Sequence, residues 1–231
     1  MGASRLPGKP LKEVLGRPLL FYLVDRLKQC GVKIVIATTS QKRDEAIAVY
    51  AHSLGVDVIQ GDEEDVLSRY WVAAQKVSCD VIVRITADCP LMDPMLVNHF
   101  LSEFLSKASS LDYLSNTLVR SYPRGLDIEV FSKKALERAM KEARALEERE
   151  HVTLYLYRHP EIFHLKNISH SSDESSHRWT VDTIEDFELV SRILESLYPK
   201  NPLFSFQDVL HLVKKYPEWK KINEHIQQKE F

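Results

Sequence analysis

The sequence lacks most features that would mark a specialised environment. No apolar run in its 231 residues approaches the roughly 18–20 residues that a membrane-spanning helix needs, and no apolar stretch resembles a secretory leader. Cysteine is scarce and unpaired in pattern. Cys30, Cys79 and Cys89 are odd in number and show no CxxC spacing, which argues against a disulfide framework and a zinc site and points to a reducing cytoplasm. An excess of one charge is also missing. The net charge of −2 disfavours a general nucleic-acid binder, whose surface would be broadly basic. No internal repeat is visible. What remains is an ordinary globular composition, 44% hydrophobic and 28% charged, of a length suited to one domain spanning residues 1–231.

The charge that is present is unevenly placed. Up to Arg17 the chain carries Arg5, Lys9, Lys12 and Arg17 against the single acid Glu13. A short cationic segment in a near-neutral protein suits a small polyanion better than a polymer. The stretch Gly2-Ala-Ser-Arg-Leu-Pro-Gly-Lys9 has the ingredients of a phosphate cradle. Gly2, Ser4 and Gly8 allow close approach of backbone N–H groups, and Arg5 and Lys9 supply charge. It is not the P-loop signature: five residues separate the glycines where four are needed, and Pro10 stands where a hydroxyl would hold magnesium. Taken alone, a frayed basic terminus explains the segment better.

Periodicity organises the rest. A helix opens at Pro18 and ends near Gly31, a β-branched strand covers residues 33–38, and a helix over 45–54 leads to a strand over 56–59. A helix over 65–77 precedes the clearest buried strand, residues 80–86. This alternation predicts an α/β fold with a mostly parallel sheet flanked by helices. Between about residues 110 and 170 the pattern becomes mixed, with strands over 113–115, 126–131 and 162–168 around a helical stretch over 133–157. Helices over 184–197 and 206–214 close the chain, and 169–176 reads as a loop.

Carboxylates fall at strand ends. Asp88, in Ile85-Thr-Ala-Asp-Cys-Pro-Leu91, lies just beyond the strong strand, where open α/β sheets place their ligand crevice. It can hold a hard cation or cap the helix that begins at Pro94, and the two readings are even. Asp182, in Arg178-Trp-Thr-Val-Asp-Thr-Ile-Glu-Asp186, follows another short apolar strand. Thr183 and Asp186 form a capping box there, which leaves Asp182 for another role. Asp127 and Glu129 are expected on one strand face, either receiving sugar hydroxyls or solvated. Nine histidines show neither HxxxH nor HExxH spacing, and Cys89 has no base nearby in sequence.

Taken in order, these stretches resemble the CMP-KDO synthetase-like cytidylyltransferases, in particular the spore-coat polysaccharide biosynthesis protein F branch. The carrying residues are Met1-Gly-Ala-Ser-Arg-Leu-Pro-Gly-Lys9, Gly16-Arg-Pro-Leu-Leu20, Asp65-Val-Leu-Ser-Arg-Tyr70, Arg84-Ile-Thr-Ala-Asp-Cys-Pro-Leu91, Gly125-Leu-Asp-Ile-Glu129, Arg149-Glu-His-Val-Thr153 and Arg178-Trp-Thr-Val-Asp-Thr183. The resemblance implies a nucleotide-diphospho-sugar transferase-like, Rossmann-like fold and transfer of CMP from CTP to an acidic 2-keto sugar, with pyrophosphate released. It implies Gly2, Ser4, Arg5, Gly8 and Lys9 for the nucleotide, and Asp88 and Asp182 as magnesium ligands. Lys9, Asp88 and Asp182 become the catalytic set, and Asp127, Glu129 and His151 the sugar side. A cytoplasmic homodimer serving surface polysaccharide synthesis is expected by the same likeness, with the mixed section contributing to sugar binding and dimerisation. Family members place a strand and one more arginine ahead of this loop, so a missing first strand is expected. The alternatives are a glycosyltransferase using a finished nucleotide sugar, for which no strand-end DxD pair is present, and a truncated non-catalytic homologue.

Overall fold

The computed structural model describes residues 5–228. Gly2 and Ser4 therefore lie outside the described residues. The chain opens with a 3-10 turn, Lys9–Leu11, entered through Gly8 in the left-handed conformation and Pro10. A two-stranded ribbon follows, β1 (Glu13–Val14) against β2 (Arg17–Pro18), leading into α1 (Leu19–Leu27). Then come β3 (Val35–Thr39), α2 (Glu45–Ser53), β4 (Asp57–Gly61), α3 (Val66–Val77) and β5 (Val81–Arg84). The strand–helix alternation expected for this half is present, with β3 and β4 parallel and in register from Val35–Asp57 to Thr39–Gly61.

The second half holds α4 (Pro94–Leu105), β6 (Tyr113–Ser115), β7 (Glu129–Ser132), α5 (Lys133–Glu142), α6 (Leu146–Glu150), α7 (Leu154–Arg158) and β8 (Leu165–Asn167). It ends with α8 (Ile184–Leu197) and α9 (Phe206–Lys215). The order of the four-stranded sheet is β5-β7-β6-β8. β7 runs antiparallel to both neighbours, and β6 and β8 are parallel. This is the mixed section that the changed pattern after residue 110 anticipates.

Three details differ from the expectations set by the sequence. The helical stretch over 133–157 is three short helices. Ala143 turns extended and buries itself, Glu148 closes a new cap at the start of α6, and Val152 takes a positive φ before α7. No glycine or proline marks these breaks; burial of Ala143 and Val152 decides them over helix propensity. β7 begins only at Glu129, so Asp127 precedes the strand and the two acids do not share a strand face. Finally, β5 reads as a buried strand, yet all its residues are half-buried, as are the first three of β3.

Packing ties the strand ends to the helices. α1 faces two cores at once: Leu19, Tyr22 and Leu23 join one that reaches α4, α8 and α9, while Leu20 and Val24 join another against α2 and Val58. Arg26 is buried and donates to the carbonyls of Met92, Pro202 and Phe204 at 2.9, 2.6 and 2.7 Å. It thereby satisfies acceptors that no strand or helix pairs. Asp93, not Asp88, caps α4, accepting from Met95 N–H, and its other oxygen accepts from Phe206 N–H at the start of α9. That frees Asp88 from the capping role.

Gly125 is required by contact as well as conformation. Its φ is +101°, and a Cβ there would stand 2.5 Å from the Thr180 nitrogen and the Trp179 carbonyl carbon. The loop from Pro123 lies flat on the segment leading to Asp182, held by Trp179 N–H donating to Arg124 O at 2.7 Å. Gly125→Ala should cost about 3 kcal/mol through strain and overlap, lowering Tm by roughly 6–12 °C in a thermal melt.

Candidate active site

The N-terminal turn delivers a lysine to two carboxylates from distant parts of the chain. Gly8 bends the backbone and the turn from Lys9 points its side chain across the C-terminal end of β5. The Lys9 ammonium lies 2.8 Å from Asp88 Oδ2 and 2.8 Å from Asp182 Oδ1. Arg5 approaches the other Asp182 oxygen at 3.1 Å. Burial works against charge on Lys9, but Asp88 and Asp182 outweigh it and hold the ammonium above its usual range. Asp182 shows the reverse balance: burial would raise it, and Lys9 and Arg178 keep it below the ordinary carboxylate range. The ammonium and the Asp182 carboxylate are therefore both charged near neutrality.

Each carboxylate is supported from behind. Thr86 Oγ1 donates to Asp88 Oδ1 at 2.5 Å, and Asp88 O accepts from Val181 N–H at 2.9 Å. The backbone of one acid is thus bonded to the segment that carries the other. Asp182 is held by Arg178 Nη2 at 2.7 Å. Arg178 also grips Asp186, Nε to Oδ1 at 2.9 Å and Nη2 to Oδ2 at 3.0 Å. Asp186 accepts in turn from the backbone of Asp182 and Thr183, closing the expected capping box of α8. Asn223 donates to Asp186 Oδ1 and to Arg178 O.

Arg178 and Asn223 are residues that motif reasoning gives no role. The spacing of Arg178, Asp182 and Asp186 is a usable signal for the first. Nothing near Asn223 in sequence points to it, since the contact spans 37 residues to Asp186.

The acceptor-side candidates are not gathered at the lysine. Asp127 sits on the loop after Gly125, with both oxygens held by Arg120 at 2.6 and 2.9 Å. Glu129 is buried in β7, where its carboxylate takes Arg84, Tyr113 and Thr153. It neutralises a buried arginine from the neighbouring strand β5, a structural role. His151 follows α6, two residues before Thr153; burial lowers its pKa, with Glu150 opposing, so its imidazole is neutral at pH 7. Gly2 and Ser4 lie outside the described residues.

No group of three or more His, Cys, Asp or Glu side chains is arranged for a metal among the described residues. The two carboxylates that Lys9 bridges are another matter. A cation already sits between their oxygens, and this hard, oxygen-only donor pair fits magnesium when phosphate oxygens complete the shell.

The sequence model of the family described as cytidylyltransferase matches residues 1–221. The chain belongs to the cytidylyltransferase family. Family members are CTP-using nucleotidyltransferases. It is 37% identical over 235 residues to an uncharacterized protein of Methanocaldococcus jannaschii, covering 100% of this chain and 93% of that one. It is 30% identical to the spore coat polysaccharide biosynthesis protein SpsF of Bacillus subtilis, over 94% of this chain and 92% of the relative. The solved structure of a cytidylyltransferase from Leptospira borgpetersenii superposes with a TM-score of 0.90 at 31% identity, covering 100% of this chain and 95% of that one. The nucleotide-sugar transferase-like α/β fold expected from the motifs is thereby established. Among the described residues, no helix is long and apolar enough to cross a membrane.

The clamp behind Asp182 is the feature of this cytidylyltransferase site most exposed to test. Arg178 is 7% exposed and Asp186 fully buried. Arg178→Met leaves Asp186 charged and unpaired, which should cost about 3–5 kcal/mol. Thermal melts should show Tm falling by about 10 °C.

Proposed function

We propose that this enzyme transfers CMP from CTP to a hydroxyl of an acidic 2-keto sugar, releasing pyrophosphate, in the synthesis of a surface polysaccharide. The observation that carries the reading is the Lys9 ammonium between Asp88 and Asp182 at the end of β5. It brings together the three residues that a metal-assisted phosphoryl transfer requires, from positions 9, 88 and 182. The sugar class rests on the family resemblance. The half-exposed Asp127 beside Arg120 and the neutral His151 are the acceptor-side residues, and Glu129 supports them by holding Arg84.

In the reaction, a sugar oxygen forms a bond to the α-phosphorus while the bond from that phosphorus to the oxygen bridging to the β-phosphate breaks. The electron pair leaves with pyrophosphate, and the hydroxyl proton passes to solvent. Such transfers depend on positioning and charge neutralisation. Magnesium, held by Asp88 and Asp182, supplies charge neutralisation at the phosphate oxygens when bound. Lys9 then exchanges its carboxylate partners for phosphate oxygens, and with Arg5 it offsets charge on the leaving pyrophosphate. Arg178 keeps Asp182 in place throughout, because its second carboxylate, Asp186, is fixed to the start of α8. A homodimer is the assembly we assign, supported by the exposed side chains of Val119 and Leu146 in the section expected to pair subunits.

Asp182→Asn preserves shape and hydrogen bonding to Arg178 but removes the charge. Pyrophosphate release should fall at least about 100-fold with Tm little changed. Release within a few-fold of the parent would remove Asp182 from the site. The same assay across the four nucleotides and a panel of keto-acid sugars should give CTP and a carboxylated sugar as the productive pair; turnover with neutral sugars alone would refute the acceptor class.

Lys9→Met removes the internal cation that competes for the two carboxylates. Without nucleotide, the variant should bind Mn2+ at least about tenfold more tightly in a paramagnetic titration, while pyrophosphate release is lost. Unchanged Mn2+ affinity would show that the carboxylates do not form the metal site.

A further inference from the structure

The half-buried state of β3 and β5 has a visible cause. Between them runs an open groove of about 550 Å³, walled by Val35 and Ile36 on one side and Val81 and Val83 on the other. Leu23 of α1 and Ala74 of α3 line it as well. Among the described residues, β3 pairs only with β4 and β5 only with β7. The remaining edge of each strand therefore opens onto the groove.

Two facing strand edges constrain what can fill the space. Each presents backbone N–H and C=O groups that want partners, in surroundings that are mostly apolar. A helix has spent those groups on itself, and a hydrocarbon ligand offers none. Only an extended backbone can bond to both edges at once. The side chains it must carry are set by the lining: valine and isoleucine from the strands, leucine and alanine from the helices. The strand lengths, five residues for β3 and four for β5, set its span.

We propose that the groove is an acceptor for a β-strand, an extended segment of about five mostly β-branched apolar residues that pairs with β3 on one side and β5 on the other. The added strand joins the β3–β4 pair and the four-stranded sheet into one sheet, by the same backbone complementation as other strand-addition complexes. It also bears on the site. Leu11, two residues from Lys9, packs with Ile34, Ile36 and Ala87, the last adjoining Asp88. Filling the groove stiffens the supports of both Lys9 and Asp88. That consequence rests on the function proposed above; the strand-binding itself does not.

The test uses the whole chain and a synthetic peptide with five central valine and isoleucine residues flanked by lysines for solubility. A second peptide has the same side chains with alternate backbone amides N-methylated. Three readouts apply: amide hydrogen exchange over residues 35–39 and 81–84, reaction of the groove-lining Cys79 with a thiol reagent, and Tm. The first peptide should slow exchange in both segments at least about tenfold, slow Cys79 modification several-fold and raise Tm, while the methylated peptide does none of these. Equal protection by the methylated peptide would show a plain apolar ligand site and overturn the proposal. Absence of protection at saturating peptide would overturn it too. So would protection that appears without peptide and grows with protein concentration, which would assign the groove to a second copy. Pyrophosphate release by the peptide-free protein is measured separately, so failure of strand binding and failure of the catalytic reading are distinguishable.

Discussion

An ammonium group shared by two carboxylates is the contact around which the rest of this protein is arranged. Asp88 and Asp182 would repel one another at close range in a half-buried cleft, and the cost of desolvating each would grow with the other's charge. Lys9 makes their approach possible. The neighbouring bonds keep that triangle in shape: Thr86 orients Asp88, Arg178 orients Asp182, and Val181 N–H bonds the two acidic segments through Asp88 O.

The arrangement has layers with different tolerances. The charges that would meet substrate sit on short irregular pieces, the turn at Lys9 and the loop beyond β5. Behind them lies a buried network, Arg178, Asp186 and Asn223, fixed to the first turn of α8. Such support makes the geometry of Asp182 insensitive to what binds in front of it, which is what positioning chemistry needs. The Arg84–Glu129 pair does similar work on the adjoining strands β5 and β7, where Tyr113 and Thr153 complete the carboxylate's bonding. Cys89, buried beside Asp88 with its thiol pushed well above its usual range by burial, is packing and not a nucleophile.

The open groove and the cleft are neighbours, and this places the energetics of the sheet close to the chemistry. A sheet with two facing unpaired edges leaves backbone groups unmet and apolar residues half in water, both unfavourable. The same strands carry the segments leading to Asp88 and to the wall against Leu11. Order in the sheet and order in the site are thus linked through only a few residues.

Much of this is legible in the order of the amino acids. Periodicity places α1 through β5 within a few residues, because amphipathic helices and β-branched strands are local patterns. The capping box at Thr183 and Asp186 is legible for the same reason, and it singles out Asp182 by leaving it unexplained. The motif order indicates the family. Other features lie beyond the sequence because their causes are contacts between distant residues. The breaks within residues 133–157 come from burial of Ala143 and Val152, not from helix-breaking residues. Glu129 becomes a partner of Arg84 because β7 inserts antiparallel beside β5, which no local signal encodes. Only the tertiary structure decides that Lys9 bridges Asp88 and Asp182, that Asn223 completes the clamp, and that β3 and β5 face each other across a gap. Local chemistry determines the pieces; the approach of remote charges and strand edges, set by packing, determines what they do together.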